Sequence, residues 1–152
     1  MDLGLHLSNF TWPGGPDTFV ADLDRAARLA EDVGFTKLSV MDHVWQIGHL
    51  GPPEHEMLEA YTTLGYLAAR TERIQLLAWV TAAIYREPGM LAKAATTLDV
   101  LSGGRAWLGI GAGWNEEESG AYGIELGTPG QRSDRFEEAC EVLVGQIGRA
   151  HV

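Results

Sequence analysis

The run from Leu98 to Glu116 constrains the fold more than any other part of the chain. An apolar helical register ends there, Gly103-Gly104 turns the chain, Ala106 to Ile110 reads as a short buried strand, and the strand opens into a glycine loop. Backbone this bare beside a strand end lets a flat ligand approach closely. The order helix, tight turn, strand, functional loop belongs to α/β proteins that bind something at their strand ends.

The same order recurs along the whole chain. Leu3 to Leu7 alternates as a strand, and Ser8 to Pro16 is a loop of turn formers. Asp17 can cap a helix marked by Phe19, Leu23, Ala26, Ala30 and Val33, with Gly34 suited to its C-terminal cap. Lys37 to Val40 is a second strand running into Met41-Asp42-His43, and Met57, Tyr61, Leu64 and Ala68 mark a second helix. Ile74 to Val80 is a third strand. Glu87-Pro88 opens a third helix with the stripe Leu91, Ala94, Ala95, Leu98 and Leu101. Phe136, Ala139, Cys140, Leu143 and Val144 mark a fourth.

Apolar strands that alternate with helices indicate a parallel sheet. A doubly wound sheet and a (β/α) barrel share this pattern. The polar punctuation after each strand (Ser8-Asn9, Asp42-His43, Thr81 and Gly111 to Asn115) falls on one edge, the C-terminal face where barrel enzymes place their chemistry.

The 152 residues hold one ordinary domain. A full barrel runs to roughly 250 residues, so four βα units are half of one. A net charge of −10 argues against nucleic acid and anionic membrane as partners and leaves a small-molecule substrate. The single cysteine, Cys140, cannot form an internal disulfide, which points to a reducing, cytoplasmic setting. The first residues lack the basic and apolar regions of a signal peptide, and no apolar run is long enough for a bilayer. Ile147-Gly148-Arg149-Ala150-His151-Val152 breaks the helical pattern and is also what a common sequencing adapter encodes in one frame. The expectation is a domain over residues 1–146, continuing in the natural protein, followed by a non-native tail at 147–152.

Several residues could carry chemistry. His43, just past a buried strand and next to Asp42, can act as a general acid or base or can orient a bound ring; Asp42 capping the loop and His43 packing at the rim is the competing reading. Gly109 and Gly111 fit a dinucleotide fingerprint, but Trp114 stands where its third glycine belongs, so NAD is not expected. Trp12, Trp45, Trp79 and Trp114 follow or end strands and suit either a core or a pocket for a planar ligand. His43, His49, His55 and Glu56 crowd one loop without the spacing of a zinc box, so no metal site is expected.

The motifs Asp42-His43-Val44-Trp45-Gln46, Leu76 to Thr81, Tyr85-Arg86-Glu87-Pro88, Thr97 to Arg105 and Gly109 to Trp114 resemble the bacterial luciferase-like monooxygenase superfamily, and most of all its coenzyme F420-dependent oxidoreductases. The resemblance runs from Leu3 to about Gly145, with Leu101-Ser102-Gly103-Gly104-Arg105 as its most specific part. It implies a (β/α)8 TIM barrel present as its first four units, an enzyme that moves a hydride between F420 and an organic substrate, and a homo-oligomer when full length. FMN with dioxygen is the alternative within the family, and an inert, self-associating half-barrel is the alternative outside it. His43 matches the position beside the reactive ring centre. Asp42, Ala78, Trp79, Thr81, Gly111, Ala112, Trp114 and Asn115 match positions around the ring. A non-prolyl cis peptide would fall at Ala78-Trp79. Sugar-phosphate dehydrogenases of the family carry a glutamate where Trp114 stands, which argues against that substrate class. The main phosphate-binding residues belong to later units, so this chain alone is expected to bind cofactor poorly and to be inactive.

Overall fold

The computed structural model describes residues 1–147. Residues 148–152, and with them all but the first position of the expected tail, lie outside the described residues; Ile147 closes the last helix. The strands are β1 (Gly4–Leu7), β2 (Lys37–Val40), β3 (Gln75–Ala82) and β4 (Ala106–Gly111). The helices are α1 (Phe19–Asp32), α2 (Ala60–Arg70), α3 (Pro88–Ser102), α4 (Glu116–Ala121) and α5 (Pro129–Ile147). All three strand pairings are parallel, and the sheet order β1-β2-β3-β4 follows the chain.

The faces of the sheet separate the two architectures that alternation left open. Leu38, Val40, Leu76 and Ala78, with Leu5, Leu7 and Ala106 at their flank, pack against Leu23, Ala27 and Ala30 of α1 and Leu64 and Leu67 of α2. Leu108 and Ile110 meet Leu91 and Ala92 of α3 and Leu143 of α5. These strand residues share one pleat face. A doubly wound sheet needs helices on both faces, whereas a barrel keeps them all outside. The chain is therefore a partial (β/α) barrel. Its other face begins with a polar pair, His6 Nδ1 and Ser39 Oγ at 2.8 Å.

Two helical stripes differ from expectation. In α3 the buried positions are Leu91, Ala92, Ala95, Leu98 and Ser102, while Leu101 is 69% exposed. The true period ends on a serine, which apolar patterning does not register. In α1 the stripe is Leu23, Ala27 and Ala30; Val33 lies past the helix end and is exposed. Asp17 sits within a short 3-10 turn rather than capping α1, whose cap residue is Thr18.

The Leu101–Arg105 motif is a structural clamp. Gly103 ends α3 at φ 68°, a left-handed conformation that favours glycine. The Ser102 hydroxyl is buried and accepts from the Arg105 backbone at 3.2 Å. The Arg105 guanidinium donates to Ala68 O at 2.8 Å, Thr71 Oγ1 at 2.9 Å and Ile74 O at 3.0 Å, joining the end of α2 and the lead-in to β3 to the start of β4. All of this lies at the N-terminal end of the strands, opposite the polar edge.

Candidate functional site

The C-terminal ends of β2, β3 and β4 frame a cleft of about 310 Å³ lined by Asp42, His43, Trp79, Val80, Gly111 and Trp114, together with Met41, Ala82, Tyr85, Ala112 and Gly113. That volume is at the lower end of the range of small-molecule pockets. Trp79 (62% exposed), Val80 and Trp114 present apolar surface that the described residues leave uncovered. Trp79 and Val80 both reach the cleft because the β3–β4 ladder is interrupted between Ala78 and Thr81. A bulge of this kind re-aims side chains at a sheet rim. The cis peptide is Trp79–Val80, one residue beyond the expected Ala78-Trp79, since Ala78 still pairs regularly with Val40 and Leu108. Gly111 faces this bulge closely: a Cβ there would lie 2.9 Å from Val80 Cγ2.

His43 is held by a residue that sequence reasoning missed. Its Nδ1 lies 2.7 Å from Oε2 of Glu118, a fully buried carboxylate on α4. The other oxygen, Oε1, accepts from the Val44 backbone and, at 3.4 Å, from that of Trp45. Burial pushes the Glu118 carboxyl up, but the hydrogen bonds from His43, Val44 and Tyr85 outweigh it and hold the group below the usual glutamate range. Tyr85 is shifted upward by its own burial and by the neighbouring Glu118 charge. Trp114 stands edge-on to the His43 ring, with centroids 5.7 Å apart.

Asp42 has a different set of partners. Its carboxylate takes two hydrogen bonds from Arg86, at 2.7 and 2.8 Å, and one from the Ala82 backbone at 2.9 Å. Burial nevertheless leaves its pKa raised. Arg86 also donates to Glu59, whose carboxylate caps α2 by accepting from the Thr62 backbone. The guanidinium lies 5.0 Å from the ring centre of Tyr61. The Tyr61 hydroxyl is 2.9 Å from Thr81 Oγ1, and burial pushes that phenol up to about 12.

The structure thus brings Asp42, His43, Trp79, Gly111, Ala112 and Trp114 to one cleft, and it sets three other expected residues apart from the lining. Ala78 is buried in the helix-side core. Thr81 is fully buried against Tyr61. Asn115 caps α4, its side chain accepting from the Glu118 backbone at 3.2 Å. Glu118 escaped notice because Glu116-Glu117-Glu118 reads as a solvated acidic run. The available signal was the helix-capping Asn115 three residues ahead of it. Among the described residues no group of three or more metal-ligating side chains is gathered.

Chemically, the cleft offers planar apolar walls and one imidazole whose Nδ1 is already engaged. Glu118 spends one oxygen on backbone donors and presents the other to the ring. None of the described residues hydrogen-bonds His43 Nε2, which is left for exchange with a bound molecule.

Comparison with known proteins adds to this geometry. The luciferase-like monooxygenase family matches over residues 1–150. The chain is 34% identical over 116 residues to an F420-dependent glucose-6-phosphate dehydrogenase of Beutenbergia cavernae, covering 76% of this chain and 33% of the relative. Among solved structures it is similar to an F420-dependent secondary alcohol dehydrogenase in complex with an F420-acetone adduct. That match has a TM-score of 0.75 and 25% identity, and covers 94% of this chain and 41% of the other. The FMN-bound oxygenating constituent of 3,6-diketocamphane monooxygenase from Pseudomonas putida superposes with a TM-score of 0.74 at 23% identity, over 94% of this chain and 38% of that one, a likeness of fold. The chain spans less than half the length of the curated relatives it matches.

Proposed function

Since the chain belongs to the luciferase-like monooxygenase family, we propose that it forms the N-terminal half of an oxidoreductase that transfers a hydride between coenzyme F420 and an organic substrate. The observation that carries this reading is the placement of His43, fixed by Glu118, beside a cleft walled by exposed aromatic and glycine surface. The residues present fit a planar ring. Trp79, Val80 and Trp114 offer apolar faces, and Gly111 and Gly113 keep the fourth-strand wall free of side chains. The bound deazaflavin would supply the hydride chemistry, while the protein supplies position and electrostatics.

The roles of the chain's own residues follow from their contacts. His43 holds or moves a proton at Nε2 near the reacting atoms, and its pairing with Glu118 orients the imidazole. Trp114 packs edge-on to that imidazole and narrows the approach to it. Asp42 is bound bidentately to Arg86, so it contributes to the cleft as a fixed wall rather than as a free base. Trp114 in place of an acid disfavours a sugar phosphate as substrate.

The test uses the completed gene. His43→Ala should lower turnover by roughly 10²-fold or more, and it should also lower the melting temperature because the buried Glu118 carboxylate loses a donor; near-normal turnover contradicts the assignment. Spectral titration with F420 and with FMN then decides between the two cofactors, because the rings absorb differently. Saturable binding of FMN alone would move the protein to the monooxygenases.

A further inference from the structure

We propose that Glu118 is a positioning residue that fixes the tautomer of His43, keeping Nδ1 protonated so that Nε2 presents its lone pair to the cleft. The inference rests on the reading of His43 as the proton-handling residue, and it is carried by the hydrogen-bond inventory around one carboxylate.

Glu118 is wholly buried, so each of its oxygens must find donors within the protein. Oε1 is committed to the backbone N–H groups of Val44 and Trp45, the two residues that follow His43. Oε2 lies 2.7 Å from His43 Nδ1, and the Tyr85 hydroxyl is a further donor to the same carboxylate. The hydrogen bonds it receives hold the Glu118 carboxyl below the usual glutamate range, so it is ionised and can only accept, and the proton in the Nδ1–Oε2 bond belongs to the imidazole. A neutral histidine has one N–H, and placing it on Nδ1 leaves Nε2 as the acceptor. The same carboxylate therefore sets the path of the loop after β2 and the chemical face of the ring on that loop.

The position of Glu118 in the chain makes this a link between separate units. It lies 75 residues beyond His43, on the short helix that follows β4. Asn115 caps that helix and so places Glu118 in its first turn. Orientation of a second-unit histidine is thereby delegated to the fourth unit.

An isosteric substitution separates the two duties of Glu118. In Glu118→Gln the amide oxygen must face the Val44 and Trp45 N–H groups, because an amide NH2 there would set donor against donor. The NH2 then faces His43 Nδ1, which must become an acceptor, and the ring proton moves to Nε2. A residue that served only to tie down the loop would leave the ring tautomer unchanged.

The experiment reads ring ¹⁵N shifts of His43 by two-bond ¹H–¹⁵N spectroscopy on the 152-residue chain, at alkaline pH where imidazoles are neutral. The expected result is an Nδ1–H tautomer in the unmodified chain and an Nε2–H tautomer in Glu118→Gln. An Nε2–H tautomer in the unmodified chain overturns the proposal without recourse to any variant, and so does an unchanged tautomer in Glu118→Gln. In the full-length enzyme, Glu118→Gln should lower kcat roughly 10²-fold with the KM for cofactor little changed. Unchanged kcat in that variant, alongside an inactive His43→Ala, also overturns it. Near-normal turnover in His43→Ala removes the functional reading of His43 but leaves the tautomer result standing, so the two failures are distinguishable.

Discussion

Asp42 and His43 are neighbours in the chain and opposites in their surroundings. Asp42 depends on Arg86, and truncating that arginine strands a buried charge, which typically costs about 3–5 kcal/mol. Arg86→Met should therefore destabilise the chain by that order at neutral pH in urea unfolding. The sign of its pH dependence follows from the raised pKa of Asp42. A carboxyl whose folded pKa lies above its unfolded value opposes folding as pH rises through the carboxylate range. Loss of Arg86 enlarges that effect, so the destabilisation should shrink as the solution is acidified and Asp42 takes up a proton. A deficit that stays constant between neutral pH and pH 4 or so would assign it to packing against Tyr61 instead. At this scale the sequence was half legible. The Asp42-His43 pair after a buried strand marked the place where chemistry gathers. The partners of the pair were hidden, because Arg86 lies 44 residues away and Glu118 lies in an acidic run that carries no apolar period.

Among the elements, the strands and longer helices follow from apolar periodicity, since burial on one face is what both the sequence and the fold express. The misreadings share a physical cause. Ser102 completes the α3 stripe through a hydroxyl that bonds locally, and α4 docks through the Glu118 carboxylate rather than through apolar surface. Patterning by hydrophobicity sees neither. The Arg105 clamp is of the same kind, a polar device inside a motif that had value at first only as a resemblance. Arg105→Ala leaves Ala68 O and Ile74 O without their donor, and each such buried group costs about 1–3 kcal/mol. The expected outcome is a loss of roughly 2–4 kcal/mol in urea unfolding, with the His43 ring resonances unmoved because the clamp is at the other end of the strands. Shifted His43 resonances would show that the two ends are coupled.

For the whole molecule, the helices on one face and the consecutive strand order identify a partial barrel, a distinction that alternation alone could not make. Among the described residues no helix is long and apolar enough to cross a membrane. Among the described residues each outer strand, β1 and β4, is paired on one side only. Unpaired strand edges invite association, and Trp107 stands 53% exposed on β4. The net charge of −10 opposes that association, and salt screens the repulsion. Light scattering on the 152-residue chain should therefore show mass rising with concentration, more steeply at higher salt, and Trp107→Lys should reduce the effect. A constant monomer mass across both series would show that the edges are inert. The Arg105 clamp has one more implication. With α2, β3 and β4 stapled together below, the clamp is a footing for the rim, whose own ties, the Ala83–Gly111 backbone bond and the His43–Glu118 bridge, lie at the opposite end of the strands. The residues that set the spacing of the strands are thereby kept apart from those that line the cleft, so the lining can be exchanged without rebuilding its footing.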